Sequence, residues 1–137
     1  MRIKIIAVML LVTAALFAAS GAVWAKVDAE QVKEMIELYV AQQERLQGAF
    51  ALVDVKNGTL RWLKLIRVHN KVGKTGNYNY GTADMRDVKT GDLLEMDYDF
   101  SDQKGELRVV DIRIRKENGK ARYTYGENSN IVPVEES

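Results

Sequence analysis

Residues 93–125 read LLEMDYDFSDQKGELRVVDIRIRKENGKARYTY, and this stretch decides the fold class. Its apolar residues recur with a period of two, the spacing that places them on one face of a β-strand. The polar residues that interrupt this alternation, around Gly105 and at Asn118-Gly119, are typical of hairpin turns. The stretch therefore predicts three antiparallel strands that follow one another along the chain.

The length of the first turn sets the register of these strands. A loop of three residues, Gln103 to Gly105, with Gly105 in the left-handed conformation, keeps the apolar residues of the first two strands on one face. It pairs Tyr98 with Val110, Met96 with Ile112 and Leu94 with Ile114. The Asn118-Gly119 turn then places Tyr123 opposite Ile114 and Tyr125 opposite Ile112.

The other face of the three strands carries charged side chains. In the predicted register Asp97 faces Asp111 and Arg115 faces Arg122, and like charges directly opposite one another are unfavourable. Either diagonal ion pairs relieve these oppositions, or a bound ligand does. The ligand hypotheses are an anion at Arg113, Arg115 and Arg122, or a cation at Asp97, Asp99 and Asp111.

A helix is predicted over residues 28–47. Apolar residues recur there at helical spacing, and the exposed face is rich in glutamate. Asp28 and Gln31 form a plausible capping box, and Gly48 suits a left-handed C-terminal cap. We expect this helix to cover a sheet. The residues predicted on its packed face are Val32, Met35, Ile36, Tyr39, Val40 and Leu46.

A hairpin is predicted over residues 50–69, with Asn57-Gly58 as a two-residue turn. This turn pairs Val53 with Trp62 and Phe50 with Leu65, and it leaves apolar residues on both faces. One face can pack on the helix. The other needs a curled sheet, an apolar ligand or a second copy of the chain. The homodimer hypothesis uses Phe50, Leu52, Leu63 and Leu65.

A polar loop is predicted at residues 70–77. A third strand of weaker character follows from Tyr78, and Gly81 is a candidate bulge or kink. The fold class that results is α+β, with one N-terminal helix packed on a curled antiparallel meander of five to six strands. We expect a single domain over residues 26–126 and a loosely ordered tail over 127–137, with no internal repeat.

The chain opens with MRIKIIAVMLLVTAALFAASGAVWA, which has the order of a secretory signal: basic start, apolar run and small residues. The apolar run of about 15 residues is short for a membrane-spanning helix, which needs about 20. The pattern therefore predicts a signal peptide over residues 1–25, cleaved after Ala25, with no stable membrane anchor left. It indicates a bacterial periplasmic or secreted protein.

Charge and composition limit the classes of partner and cofactor that we expect. Removal of Arg2 and Lys4 leaves 18 basic against 19 acidic side chains, so no bulk attraction to nucleic acid or anionic lipid is expected. One histidine and no cysteine argue against a zinc site. No glycine-rich phosphate loop or catalytic triad order is present, and we predict no cofactor and no metal. The partner expected is a protein or a small-molecule ligand.

Two sites are predicted outside the charged face. Trp62, His69, Tyr78 and Tyr80 can line a ligand-binding cleft, although such residues also commonly fill cores. His69 is also a candidate general base, and such a histidine is usually oriented by a carboxylate. The third strand could supply Asp84 or Tyr80, although the spacing does not require either. A structural role for His69 remains open beside this catalytic one.

One helix followed by an antiparallel meander resembles the cystatin-like architecture, which includes the nuclear-transport-factor-like folds and small periplasmic PepSY-type domains. The cystatin inhibitors carry Gln-x-Val-x-Gly in a hairpin loop, whereas this chain has Lys56-Asn57-Gly58-Thr59, so the resemblance does not imply protease inhibition. The segments LRWLKLIRVH, DMRDVKTGDLLEMDYDF and IRIRKENGKARYTY also resemble small exported bacterial proteins.

These patterns lead to two functional hypotheses. The first is an exported, non-enzymatic binding or interaction module, because the chain lacks a complete catalytic set. The alternative is a small cone-shaped enzyme of the nuclear-transport-factor-like type, in which His69 and Asp84 act inside an apolar cavity.

Overall fold

A computed structural model describes residues 27–135, so the predicted signal sequence at residues 1–25 lies outside the described part of the chain. One helix, α1 (Ala29–Gln47), precedes the strands. The strands are β1 (Phe50–Asp54), β2 (Thr59–Thr75), β3 (Tyr78–Asp87), β4 (Leu93–Ser101), β5 (Arg108–Glu117), β6 (Lys120–Ala121), β7 (Tyr123–Tyr125) and β8 (Ile131–Pro133). A short 3₁₀ helix, Gln103–Gly105, lies between β4 and β5.

The ends of α1 are those that the sequence predicts. The Asp28 carboxylate accepts a hydrogen bond from the Gln31 backbone N–H at 2.8 Å, and the Gln31 side chain accepts one from the Asp28 N–H at 3.2 Å. Gly48 follows the helix with φ 78°. Val32, Ile36 and Val40 are buried against the sheet, but Leu46 is 72% exposed, so its placement on the packed face was wrong.

The sheet confirms the predicted fold class. Its six strands lie in the order β1-β2-β3-β4-β5-β6, and every neighbouring pair is antiparallel, as in a meander. The sheet is not closed, because β1 and β6 are its two edges. A second, two-stranded sheet joins β7 to β8.

The core lies between α1 and one face of the sheet. Glycine is required at position 81, because a Cβ there would lie 2.4 Å from Val32 Cγ1 and 2.9 Å from Ile36 Cδ1. The register irregularities expected at Gly81 are instead on the neighbouring strand, between Leu65 and Arg67 and between Val68 and Val72. The buried apolar residues of this core are Val32, Ile36, Val40, Phe50, Leu63, Ala83, Met85, Leu94, Met96, Tyr98, Phe100 and Ile114.

The first hairpin has a register two residues away from the predicted one. Phe50 lies opposite Leu63, and Asp54 lies opposite Thr59, so the turn contains four residues rather than two. The Asp54 carboxylate accepts a hydrogen bond from Lys56 N, and its carbonyl accepts one from Gly58 N at 2.8 Å. This local bonding outweighs the Asn-Gly preference for a two-residue turn. Because the shift is two residues, the side chains of residues 50–54 and 59–63 keep their predicted faces. The irregularity between Leu65 and Arg67 turns Val68 toward the core instead.

The predicted register of β4 and β5 was wrong by the same interval. Tyr98 lies opposite Ile112, and Asp97 lies opposite Arg113, so Asp97 does not face Asp111. The connection covers residues 102–107 and is therefore longer than three residues, although Gly105 has the predicted positive φ, at 73°.

Two segments are more ordered than expected. β2 continues to Thr75, so residues 70–77 form a strand and a tight turn rather than a loop. In the tail, β8 pairs with β7, and Tyr123 lies opposite Pro133 instead of Ile114. The last strand of the predicted meander therefore leaves the main sheet after Ala121.

The face assigned to a homodimer is covered by the chain itself. Phe50 and Leu63 are buried beneath α1, and Tyr39 packs edge-on against Phe50 with ring centroids 6.2 Å apart. Leu52 and Leu65 are half-buried against the same core. The helix α1 therefore covers this apolar face within a single copy of the chain.

Within residues 27–135, α1 is the only α-helix, and it is not apolar enough to cross a membrane.

Candidate functional site

The predicted anion site is neutralised by the chain's own carboxylates. Arg113 forms a two-point ion pair with Asp99 and also bonds Asp111 at 3.1 Å. Arg115 pairs with Glu95, which Lys116 also reaches at 3.2 Å. The Arg122 backbone N–H donates to the Arg115 carbonyl at 2.7 Å, as the predicted register requires, but the Arg122 side chain points to the end of β1. The structure thus brings Arg113 and Arg115 together without Arg122, and ion pairs with neighbouring carboxylates relieve the charges.

A buried aspartate organises the sheet face that lies opposite the helix. Asp97 is completely buried and accepts hydrogen bonds from Thr82 Oγ1 at 2.6 Å, Tyr125 Oη at 2.7 Å and Tyr123 Oη at 3.0 Å. Burial, with Asp97 beside the two rings, raises the pKa of both tyrosine hydroxyls, so they remain protonated donors. This Asp97 cluster fastens β7 onto the main sheet.

Tyr80 belongs to the same cluster. Its ring stacks on Tyr125 with centroids 4.5 Å apart, and it lies over Gly73, where any Cβ would be 2.3 Å from the Tyr80 ring. Tyr80 is therefore buried beneath the β7–β8 sheet. Tyr78, two residues earlier on β3, is 46% exposed.

His69 and Asp84 are brought together as the sequence suggests. His69 Nε2 lies 2.8 Å from Asp84 Oδ1, and Arg67 Nε donates to Asp84 Oδ2 at 2.6 Å. Burial raises the pKa of the Asp84 carboxyl, but the hydrogen bonds from Arg67 and His69 outweigh this effect, and the pKa lies below its usual value. The pair sits half-exposed beside a bulge of β2, and not beneath the helix in the apolar core.

The predicted cleft is not one site. Trp62 lies on the outer face of β2, and the Lys89 ammonium is 4.3 Å from the centre of its ring. Tyr80 is covered by Tyr125, and His69 is paired with Asp84. These aromatic and histidine side chains serve three different local arrangements.

An arginine cluster at one end of the sheet escaped the sequence reasoning. Arg61 is buried and bonds Glu117 at 2.6 Å, Asp92 at 2.7 Å, Asp54 at 3.3 Å and Asp87 at 3.4 Å. Hydrogen bonds from Asn118 and Arg61 lower the pKa of Asp92 to about 2. A sequence signal for this cluster was present. Charged residues occupy the face of their strands that otherwise carries buried apolar residues, namely Asp54, Arg61 and Asp87.

Arg122 extends this cluster to the end of the main sheet. It donates to both oxygens of Asp54, at 2.7 and 2.8 Å, and to Glu117 at 2.5 Å. The hydrogen bonds from Arg122 lower the pKa of both carboxyls, although burial acts in the opposite direction. The edge strand β1 is thus tied to the segment that follows β6, while the two edges themselves stay unpaired.

A pocket of about 290 Å³ opens between β1 and the part of β5 that precedes its pairing with β6, and we name it the seam pocket. Its apolar lining comes from β1 and β5, and Tyr123 closes one side. Its charged lining has three positive groups and one carboxylate, Asp54. The lining residues are Leu52, Val53, Asp54, Val55, Lys56, Ile112, Arg113, Ile114, Arg122 and Tyr123. No sequence pattern marks this pocket, because it depends on which strand edges remain open.

Comparison of the chain with family models, with curated proteins and with solved structures found no match.

Proposed function

We propose that this chain is an exported, non-enzymatic binding module, and that the seam pocket takes a small apolar molecule with an anionic group. The observation that carries the proposal is an apolar pocket between two unpaired strand edges. At about 290 Å³ the pocket is near the lower end of the range for small-molecule sites.

The charge of the lining favours an anionic group. Lys56, Arg113 and Arg122 border the pocket, and the only carboxylate in its lining, Asp54, is already bonded by Arg61 and Arg122. The lining therefore has more basic than acidic side chains, although Asp99 and Glu117 also pair with its two arginines. A ligand carboxylate or sulfonate joins these ion pairs, while its apolar body is buried against Leu52 and Ile112.

Export is part of the same proposal and is supported by the signal-like pattern of residues 1–25. A periplasmic or secreted location, bacterial in type, follows from that pattern. The cystatin-like architecture is also proposed, on the order of one helix followed by an antiparallel meander. Cleavage after Ala25 is tested by mass spectrometry of the protein recovered from an export-competent host.

The binding proposal is tested by calorimetric titration with anilinonaphthalene sulfonate, whose aromatic body and sulfonate match the pocket. A small ligand gains about 0.3 kcal/mol per non-hydrogen atom, so we expect a dissociation constant on the order of tens of micromolar. Ile112→Trp places a larger side chain in the pocket and should weaken binding at least tenfold.

The matched control is Val110→Trp, which adds the same ring on the same strand at an exposed position outside the pocket lining. Urea unfolding of both variants checks that the fold is intact. Equal affinity of the two variants would contradict the assignment of the pocket. Turnover of substrates in a hydrolase and isomerase panel would contradict the non-enzymatic role.

A second candidate function is favoured by the 2.8 Å contact between His69 Nε2 and Asp84 Oδ1. In this alternative Asp84 orients His69 as a general base, as in other histidine-dependent enzymes. His69→Ala should then abolish an activity and leave the free energy of unfolding nearly unchanged. If His69→Ala lowers that free energy strongly and no activity is lost, the pair has a structural role.

A further inference from the structure

Two turns at the same end of the sheet have the same sequence pattern and the same geometry. Residues 54–58 read DVKNG and residues 87–91 read DVKTG, a short repeat that the sequence analysis missed. In each turn the aspartate carboxylate accepts from the lysine N–H, at 3.2 and 2.9 Å. In each, the glycine N–H donates to the aspartate carbonyl at 2.8 Å. We name them the twin turns.

One arginine holds the twin turns side by side. Arg61 reaches Asp54 through Nε and Asp87 through Nη1, and each of these aspartates is 1% exposed. The structure therefore explains two residues of the pattern. The aspartate is needed for the turn and for the bond to Arg61, and the glycine is needed for its positive φ of 67° or 79°. The valine of the pattern has no such structural role in either turn, whereas Lys89 contacts the ring of Trp62.

The repeated valine is exposed in both turns. Val55 is 91% exposed and Val88 is 60% exposed, and the lysines beside them, Lys56 and Lys89, are also exposed. Exposed apolar side chains continue from the turns onto the outer face of β1 and β2, around Trp62. The apolar residues there are Val53 at 57%, Leu60 at 49% and Ile66 at 48% exposure.

Basic side chains predominate on this surface. Five exposed basic side chains surround the apolar residues, namely Lys56, Lys64, Arg67, Arg86 and Lys89. Asp84, on this part of the outer face, is already bonded by Arg67 and His69. Its cross-strand neighbour Glu95 is paired with Arg115 and Lys116. The exposed glutamates Glu30, Glu34, Glu37 and Glu44 lie on α1, across the sheet. The small net charge of the chain therefore hides one basic side and one acidic side.

We propose that this basic face, led by the twin turns, docks on an anionic phospholipid surface. The two valines enter the boundary between headgroups and acyl chains, and the lysines beside them bind headgroup phosphates. Trp62, which has an apolar body and an indole N–H, lies behind them at the level that aromatic residues favour at membrane interfaces. Charge complementarity selects the lipid: the face is basic, and the acidic helix points away from it.

The test measures cosedimentation of the purified protein with vesicles of phosphatidylglycerol and phosphatidylcholine, and with vesicles of phosphatidylcholine alone. The N-terminus of each preparation is determined by mass spectrometry, so that variants are compared with wild type that begins at the same residue. We expect binding to the anionic vesicles only, weakened strongly by about 0.5 M salt because screening is then short-ranged.

Two double variants separate the contribution of the lysine charges to vesicle binding from that of the exposed valines. Lys56→Glu/Lys89→Glu should lower the partition coefficient at least tenfold, since each basic residue near the surface counts substantially. Val55→Ser/Val88→Ser should lower it roughly tenfold through lost apolar burial. The matched control is Leu38→Ser/Leu46→Ser, which removes exposed apolar side chains from the acidic helix and should leave binding unchanged.

Equal binding to neutral vesicles, or full binding by the lysine variant, would overturn the proposal. So would equal loss in the Leu38→Ser/Leu46→Ser control. Soluble polyglutamate is the probe for an acidic protein partner: if it binds as tightly as the vesicles and the valine variant binds it normally, the lipid assignment is wrong. Circular dichroism and urea unfolding confirm that each exposed-site variant is folded.

Discussion

Arg122 and Asp54 form a two-point salt bridge, with Nη1 to Oδ1 at 2.7 Å and Nη2 to Oδ2 at 2.8 Å. The two residues are 68 positions apart, and they join the first strand of the sheet to the segment after its last strand. A planar guanidinium and a carboxylate match in this geometry, which fixes orientation as well as distance. The open edges of the sheet are therefore held near each other by side chains rather than by a strand ladder.

Removal of this clamp should destabilise the fold measurably. Arg122→Gln leaves the buried Asp54 with Arg61 as its remaining charged partner, and we expect a loss of about 2 kcal/mol in the free energy of unfolding. Arg67→Gln is the matched control, because the Arg67 side chain is 69% exposed in its ion pair with Asp84. Such surface pairs contribute at most about 1 kcal/mol. Urea unfolding measures both, and equal losses would contradict the clamp.

The contact between Gly81 and the helix gives a second prediction. Gly81→Ala places a Cβ against Val32 and Ile36, and overpacking of this kind costs about 1–3 kcal/mol. The double variant Gly81→Ala/Val32→Ala removes the nearer contact, so its loss should be smaller than the sum of the two single losses. Thermal unfolding of the four proteins completes this cycle. Additive losses would show that α1 does not rest on this glycine.

The architecture was predictable because its signals are local. The capping box of α1, the alternation of β4 and the Asn118-Gly119 turn each depend on a few adjacent residues. Register was less predictable, since the Asp54 side chain captures the turn after β1 and shifts the pairing by two residues. A shift of two leaves the faces unchanged, and so the predicted core survived a wrong register.

The candidate sites were less predictable because they join distant parts of the chain. For His69 the sequence offers Asp84 or Tyr80 as a partner, and the structure places Asp84 beside it. The predicted register correctly put the Arg122 backbone opposite Arg115. It did not predict the contact of the Arg122 side chain with Asp54, because β1 is distant in sequence. The seam pocket depends on the strand order and on the departure of β7 from the main sheet, and neither leaves a local pattern.

Acid should destabilise this protein through the arginine cluster. Hydrogen bonds from Arg122 and Arg61 lower the pKa of Asp54 and Glu117, and hydrogen bonds from Asn118 and Arg61 lower the pKa of Asp92 to about 2. A lowered folded-state pKa contributes stability above the unfolded value, near pH 4 to 4.5, and that contribution is lost as the pH falls through the folded value. The urea midpoint should therefore fall between about pH 4.5 and pH 2.

One carboxyl opposes this trend. Burial raises the pKa of Asp99 despite its pair with Arg113, so its ionisation works against folding as the pH rises through that range.

Glu117→Gln removes one contributor to the acid loss and should flatten the dependence of the urea midpoint on pH. The exposed Glu37→Gln is the control and should leave the slope unchanged. A slope that Glu117→Gln does not alter would contradict the role of the cluster.

The hydroxyls around Asp97 give the last prediction. Tyr125→Phe and Tyr123→Phe each remove one donor from a completely buried carboxylate, at 2.7 and 3.0 Å respectively. Asp97 keeps its other two donors in each variant, but a hydrogen bond to a charged group contributes about 1.5–3 kcal/mol, so each variant should lose about that much in the free energy of unfolding. Tyr78→Phe removes the same hydroxyl from a ring that is 46% exposed and should change stability by less than about 0.5 kcal/mol.

The Tyr125 variant also distinguishes two roles for the Asp97 cluster. If the hydroxyl fastens β7 and β8 to the sheet, Tyr125→Phe should speed hydrogen exchange of the Gly76 amide, which donates to the Ser129 carbonyl at 3.0 Å. Amides of β2 near Leu63, under the helix, should exchange as in wild type apart from the global loss of stability. Uniform acceleration at both places would mean that Asp97 stabilises the whole fold and does not specifically hold the second sheet.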